Sequence, residues 1–451
     1  MKIPIFLPAI VLGCACNMAS LSYAAESLAT ARIRSGSTLE EFFTAAINYS
    51  PQLKIAEENL NISSARKRAA NGQLLPHVSA NASLSDNRQN ALNQQLQNFD
   101  GERYSLQLTQ VLFNWEAFAS RKQASLLEDQ NEAIYFAQLA FLLTDVSEKY
   151  FAVLQAGDAL ESIGSELEAV RNQLDQIQSF YDRQLVQITD LYDVQARVAA
   201  VRSEQLGLQS QLELAREALR SVTGVLPGEL FRLDEAAEVP PVERDIDYWV
   251  RQARNNNQQI QASEYALQAA DKGIDGRRGA YMPRVSLIAQ RQDSNLGFDN
   301  SLISQTDSTF IGLDISIPLY AGGRNRAAMS EAISLHSIAE NELRQTQLNI
   351  NESTRTAFLQ VKSSELRTEA AEILAESTAL LSEARQQGFE LGVVTSVDVL
   401  NALRDQFRAE RDLQQARYEH ILYFLMLKRE TGTLSAEDLL EVGTWLIAPE
   451  D

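Results

Sequence analysis

Pro76-His77-Val78-Ser79-Ala80-Asn81-Ala82-Ser83-Leu84-Ser85 is the stretch on which the fold turns. Val78, Ala80, Ala82 and Leu84 share one parity and Ser79, Asn81 and Ser83 the other, the period of a strand with one apolar face. A second run spans 103–113, with Tyr104, Leu106 and Leu108 opposite Ser105, Gln107 and Thr109. The pattern recurs later. Residues 283–290 place Val285, Leu287 and Ala289 on one face, and residues 309–317 place Ile311, Leu313, Ile315 and Ile317 opposite Gly312, Asp314 and Ser316. Polar stretches, 86–102 and 293–307, separate the two strands of each pair. A strand of about 11 residues tilted by about 40° spans roughly 28 Å, the depth of a hydrocarbon layer. A strand pair on a soluble sheet would alternate in the same way.

The recurrence is a duplication. Leu75-Pro76-His77-Val78-Ser79 returns as Met282-Pro283-Arg284-Val285-Ser286, and Val111-Leu112-Phe113 as Pro318-Leu319-Tyr320, both 207 positions on. Leu185-Val186-Gln187-Ile188-Thr189-Asp190 returns as Val393-Val394-Thr395-Ser396-Val397-Asp398, and Thr223-Gly224-Val225-Leu226 as Thr431-Gly432-Thr433-Leu434, both 208 positions on. A near-constant offset over the chain marks one unit used twice. The units are 38–226, with strands about 76–85 and 103–113, and 248–435, with strands about 283–290 and 309–317. A linker at 227–247 holding Pro240-Pro241 joins them, and a tail at 436–451 follows.

The rest of each unit reads as helix. No proline interrupts the chain between Pro76 and Pro227 or between Pro318 and Pro449. Leu160, Leu167, Leu174 and Tyr181 recur every seven residues, with Ile163, Val170 and Ile177 three after each of the first three. Leu191, Val194, Val198, Val201, Leu208, Leu212, Leu219 and Val222 continue the pattern on the next helix, and Leu359, Leu366, Ile373 and Leu380 repeat it in the second unit. Residues 116–180 make one helix of about 100 Å. That is far longer than a globular helix and lacks a transmembrane apolar run.

Composition excludes several functions. The chain of 451 residues carries a net charge of −20, the wrong sign for a nucleic-acid partner. Cys14 and Cys16 are the only cysteines, and His77, His336 and His420 are far apart, so no metal site, cofactor site or thiol chemistry is expected. No nucleophile, phosphate-loop or dinucleotide motif occurs, and an enzyme is not expected. The N-terminus reads as a signal peptide, 1–24, with Ser22-Tyr23-Ala24 before the cut. Val11-Leu12-Gly13-Cys14 offers a competing lipobox cut that would leave Cys14 lipidated.

Four strands cannot close, and lipid tolerates no open strand edge. Strands in a membrane would therefore be shared between chains, twelve from three copies, with the helices forming a tube below. Here the chain resembles the TolC family of outer-membrane channel-tunnel proteins, over residues 38–445. The resemblance is carried by Ile317-Pro318-Leu319-Tyr320-Ala321-Gly322-Gly323, by Gly388-Phe389-Glu390-Leu391-Gly392 through Val397-Asp398-Val399-Leu400, and by Thr431-Gly432-Thr433-Leu434-Ser435-Ala436-Glu437-Asp438-Leu439. It implies a mainly α fold with a membrane β part, in which antiparallel coiled-coil helices form an α-barrel below a shared 12-stranded β-barrel. It further implies a homotrimer in the outer membrane with a long periplasmic portion, a periplasmic adaptor and an inner-membrane pump or ABC transporter as partners, and drugs or secreted proteins as cargo. A periplasmic coiled-coil scaffold or adaptor without a barrel is the alternative.

The resemblance also assigns roles. The loops between paired long helices, 181–190 and 389–398, would form the periplasmic entrance. The family shuts it with a polar link from an Asp to a Tyr and an Arg. Asp190 matches the Asp, but Phe389 and Val394 stand at the other two places, so that link cannot form. Of two acidic rings, Asp398 matches the first. Asn401 replaces the second, and Asp193 holds the equivalent place in the first unit. Trp115 and Tyr320, after the last strand of each unit, read as interfacial aromatics or as junction packing. Gly322 and Gly323 provide a strand-to-helix turn.

Overall fold

A computed structural model describes residues 38–89, 97–234, 237, 239–295 and 305–448; the signal segment and Cys14 lie outside the described residues. Helices α1 (Leu39–Tyr49) and α2 (Pro51–Gly72) lead into strands β1 (His77–Gln89) and β2 (Gln97–Phe113), then α3 (Trp115–Asp182) and α4 (Ile188–Thr223). After β3 (Arg232–Leu233) the order recurs as α5 (Ile246–Asn256), α6 (Gln258–Gly279), β4 (Arg284–Asn295), β5 (Gln305–Ser316), α7 (Arg324–Glu390) and α8 (Ser396–Glu430). Helix α9 (Ala436–Thr444) and β6 (Leu446–Ile447) follow.

Side-chain caps set the helix starts. Thr38 Oγ1 accepts from Glu41 N, and Ser50 does the same for α2 with Pro51 behind it. Asn114 Oδ1 accepts from Ala117 N at 3.3 Å and turns β2 into α3. With no proline inside, α3 runs for 68 residues and α7 for 67, each about 100 Å long. None of the described helices is long and apolar enough to cross a membrane.

The four long strands form one antiparallel sheet, ordered β1-β2-β4-β5. Val78 faces Leu108, Leu108 faces Ala289 and Ala289 faces Ile311, so a single apolar row crosses the whole sheet. Both outer edges, β1 and β5, have no partner strand among the described residues. The strands run further than their alternating patterns. β1 continues to Gln89 and β4 to Asn295, through polar residues held by pairing rather than by an apolar face.

The main core lies midway along the long helices. Phe42 of α1 meets Tyr150 of α3 edge to face at 5.8 Å, and Leu219, Ile421, Leu425 and Val442 close the cluster. Residues 436–448, read from sequence only as a tail, supply α9 to this core and pair β6 with β3. Away from the core the helices pack in thin coiled layers, such as Ile163, Leu167 and Val201. The α7 heptad Leu359, Leu366, Ile373 and Leu380 is uncovered in the single chain.

Candidate functional site

The two long helix pairs end in turns of the same construction. At the tip of α3, Leu185 N donates to Phe180 O (2.9 Å) and Gln184 N to Tyr181 O (2.8 Å). At the tip of α7, Val393 N donates to Gly388 O and Gly392 N to Phe389 O, both at 3.0 Å. This paired bonding needs a left-handed residue just past the helix. Gly392 takes it at φ 76°; its counterpart Gln184 takes it at φ 60°, the one non-glycine residue at positive φ among the described residues. A side chain there is strained by its own Cβ.

The acidic residues singled out from sequence sit at the next helix starts. Gln187 N donates to Asp190 Oδ2 at 3.1 Å, which fixes Asp190 as the reciprocal cap of α4. Thr395 and Asp398 form the same box on α8, with Thr395 Oγ1 donating to Asp398 Oδ2 at 2.6 Å. That hydroxyl bond, then the Thr395 amide, then the Arg385 guanidinium at 3.6 Å hold the Asp398 carboxyl below its ordinary range. Asp193 and Asn401 follow within a turn, both exposed. Asp190 and Asp398 are therefore cap residues first, and Asp398 already has a cation beside it.

The contact between the two tips is apolar. The Phe389 ring lies 6.1 Å from that of Phe180, next to the cluster of Val170, Ile177, Leu191, Val194 and Leu400. Val394 folds back on Gly388, where a Cβ would lie 2.6 Å from Val394 Cγ2. The Gly388–Val394 pair thus closes its own turn. Above the tips, a cavity of 610 Å³ lined by Gln173, Gln387, Leu380 and Gln406 separates α3 from α7 and α8.

Higher still is a charged layer that heptad reading passed over. Glu166 of α3 is fully buried; Arg197 of α4 donates to its Oε1, and Arg411 Nη1 of α8 lies 3.3 Å from its Oε2. Two turns toward the core, Tyr418 Oη donates to Asp158 Oδ2 at 2.5 Å. Burial pushes the Asp158 carboxyl up, against the lowering effect of that bond. Together these contacts tie α3 to α8. No local motif announces the Glu166–Arg411 and Asp158–Tyr418 contacts, whose partners are over 240 positions apart.

At the sheet end, Trp115 opens α3 and packs on Gly279, where a Cβ would lie 2.6 Å from Glu116 N and 3.0 Å from the Trp115 ring. Tyr320 is 89% exposed. Gly322 and Gly323, at φ 60° and 82°, make the turn into α7. Burial lowers the pKa of His420, which bonds Ser364 at 2.8 Å. Among the described residues no cluster of His, Cys, Asp or Glu is placed to hold a metal.

A family model described as "Outer membrane efflux protein" matches residues 43–225 and 249–432. The outer membrane protein TolC of Vibrio cholerae is 26% identical over 414 residues, covering 90% of this chain and 93% of the relative. The alkaline protease secretion protein AprF of Pseudomonas aeruginosa is 25% identical over 362 residues, covering 78% and 74%. Among solved structures, the outer membrane protein VceC from Vibrio cholerae superposes with a TM-score of 0.74 at 19% identity, covering 87% of this chain and 96% of that one.

Proposed function

The chain belongs to the outer membrane efflux protein family, and from that premise we propose that three copies assemble into one passive exit duct. Their twelve strands close a barrel in the outer membrane, and their long helices continue it as a tube across the periplasm. An inner-membrane pump or ABC transporter, joined through a periplasmic adaptor, delivers the cargo. The relatives include a TolC and a protease secretion protein, which supports export of small molecules, of proteins, or of both.

One observation supports this reading above the others: a four-stranded sheet with a continuous apolar row and two edges unpaired among the described residues. Each unsatisfied backbone group in lipid costs several kcal/mol, so only a closed sheet is stable there. Twelve strands tilted as in known barrels close a pore. The apolar face contacts lipid, with Tyr320 at the periplasmic boundary.

At the other end the duct closes on the helix tips. The Phe180–Phe389 contact serves in place of the family's polar link, which cannot form here, and Asp398 from each copy gives one ring of three carboxylates, tempered by Arg385. A narrow ring of carboxylates favours cations. The test is fractionation of cell envelopes followed by unboiled and boiled gels. A heat-modifiable trimer in the outer membrane is expected. A soluble periplasmic monomer or an adaptor-like species without membrane strands would overturn the assignment.

A further inference from the structure

Beside the main core the chain leaves a cavity of 720 Å³, the size of a pocket for one small organic molecule. Helices α1, α3, α8 and α9 and the α5–α6 corner all contribute to it, with Ile350 of α7. Every wall comes from one chain, so the cavity needs no second copy to be complete. Phe43, Leu139, Leu143 and Leu439 form its inner side and are continuous with the core. Ile47, Phe136, Phe141 and Leu440 form its outer side and are between 39% and 52% exposed. Large apolar side chains left around a concave space mark a binding site.

Contacts on the far side hold the cavity open. Gly432, at φ 67°, lies so close to the α5–α6 corner that a Cβ would meet Asn256 O at 2.3 Å. Asn257 caps α6 through its side-chain oxygen and donates from Nδ2 to Glu430 O at 2.8 Å. The end of α8 is thus fixed against the corner, and the walls resist collapse onto one another. Well-packed interiors keep few voids of this kind, because empty space forfeits contacts.

Three charged side chains reach the cavity, and two of them cancel. Arg429 donates to Glu430 Oε1 from Nε at 3.0 Å and from Nη2 at 2.7 Å. Its Nη1 donates to Thr144 Oγ1 at 3.0 Å, and its guanidinium lies 5.7 Å from the centre of the Phe141 ring. Ser353 Oγ donates to the other Glu430 oxygen at 2.7 Å. Glu40 is the charge that remains: it is exposed and has no cation paired with it among the described residues. It stands in the first turn of α1, where the helix dipole favours its ionised form. Aromatic faces beside one uncompensated carboxylate suit an apolar cation. An anion would meet Glu40 and find Arg429 already occupied.

We propose that this cavity binds one lipophilic monocation per chain, with its apolar groups among Phe43, Phe136 and Phe141 and its charge toward Glu40. The site goes beyond the duct reading and lies away from the helix tips.

The test titrates tetraphenylphosphonium into the full-length, detergent-extracted protein by calorimetry, with tetraphenylborate, an anion of the same shape, as its control. Ala140→Trp fills the cavity from α3, and Thr44→Trp, at an exposed position on α1, blocks its mouth; both also serve as blanks for uptake into the micelle. Saturable binding of one tetraphenylphosphonium per chain is expected, weaker by about tenfold or more in either Trp variant. Tetraphenylborate should bind the unaltered protein about tenfold more weakly than the cation does, and Glu40→Gln should weaken the cation by about fivefold without weakening the anion. Equal affinity for the two ions overturns the choice of a cation. Binding that persists unchanged in folded Ala140→Trp and Thr44→Trp overturns the site, and the absence of saturable binding overturns the proposal. Each of these results leaves the duct reading standing, since fractionation and oligomeric state test that reading separately.

Discussion

Arg411→Ala removes one side of the buried Glu166 clasp and isolates its contribution. Glu166 has two occupied oxygens: Arg197 holds Oε1, and Arg411 holds Oε2 at 3.3 Å. The second Arg411 contact, to Glu204 at 3.8 Å, ends on a half-exposed carboxylate and adds little. Stranding a buried charge altogether costs about 3–5 kcal/mol. Arg197 remains, so the expected loss is that of one charged hydrogen bond, about 1.5–3 kcal/mol. At 1.4 kcal/mol per tenfold, the opening equilibrium of the α3–α8 contact should rise roughly 10–150-fold. Amide hydrogen exchange of the detergent-extracted protein reads this directly, in peptides covering residues 404–418 and 158–170. Replacing all three groups together, Glu166→Leu with Arg197→Leu and Arg411→Leu, should recover most of the protection, because neither the carboxylate nor a guanidinium that bonds it is then left buried. A change of less than threefold for Arg411→Ala would refute the clasp, as would a triple variant as weak as the single.

Four further outcomes are expected at the helix tips. Phe389→Tyr with Val394→Arg restores the hydroxyl and guanidinium of the family's polar link and should lower single-channel conductance in planar bilayers; unchanged conductance in an intact trimer would show that the apolar tip contact is not what sets the gate. Asp398→Asn should reduce cation selectivity and relieve block by multivalent cations, while Arg385→Ala should raise selectivity, both read from reversal potentials. Because its pKa is depressed below the ordinary 3.8, Asp398 contributes its charge and cap above that value and loses them only as pH falls through the lower folded value. Selectivity should therefore persist from neutrality down through the ordinary carboxylate value of 3.8 and be lost only at lower pH. Gln184→Gly should slow exchange at the α3 tip by roughly two- to fivefold by removing left-handed strain, and Gly392→Ala should speed it at the α7 tip by about tenfold, since αL costs a side-chain residue about 1–2 kcal/mol.

Much of this architecture was legible because it rests on periodic signals. Alternation located the four strands, the constant offset exposed the duplication, and the missing prolines allowed helices of nearly 70 residues. The strand ends were not legible, since residues such as Asp86, Asn87, Ser294 and Asn295 pair without an apolar face to mark them. Helix α9 was hidden by brevity, although Ser435 and Asp438 spell its capping box. The Thr395–Asp398 spacing carried the same cap signature, so the local role of Asp398 was readable beside its proposed pore role. Glu166, Arg411, Asp158 and Tyr418 were beyond reach: each looks like a solvated helical residue until folding brings α3 against α8. The exposed α7 heptad has the opposite lesson, since a strong apolar period unmet within one chain points to a partner outside it.

The most direct measurement is electron cryo-microscopy of the purified protein in lipid nanodiscs. The expected particle has threefold symmetry, with a twelve-stranded barrel inside the disc and a helical tube about 100 Å long below it, four strands and two long helix pairs from each chain. A single chain or an open ring, or a sheet lying outside the lipid, would contradict it.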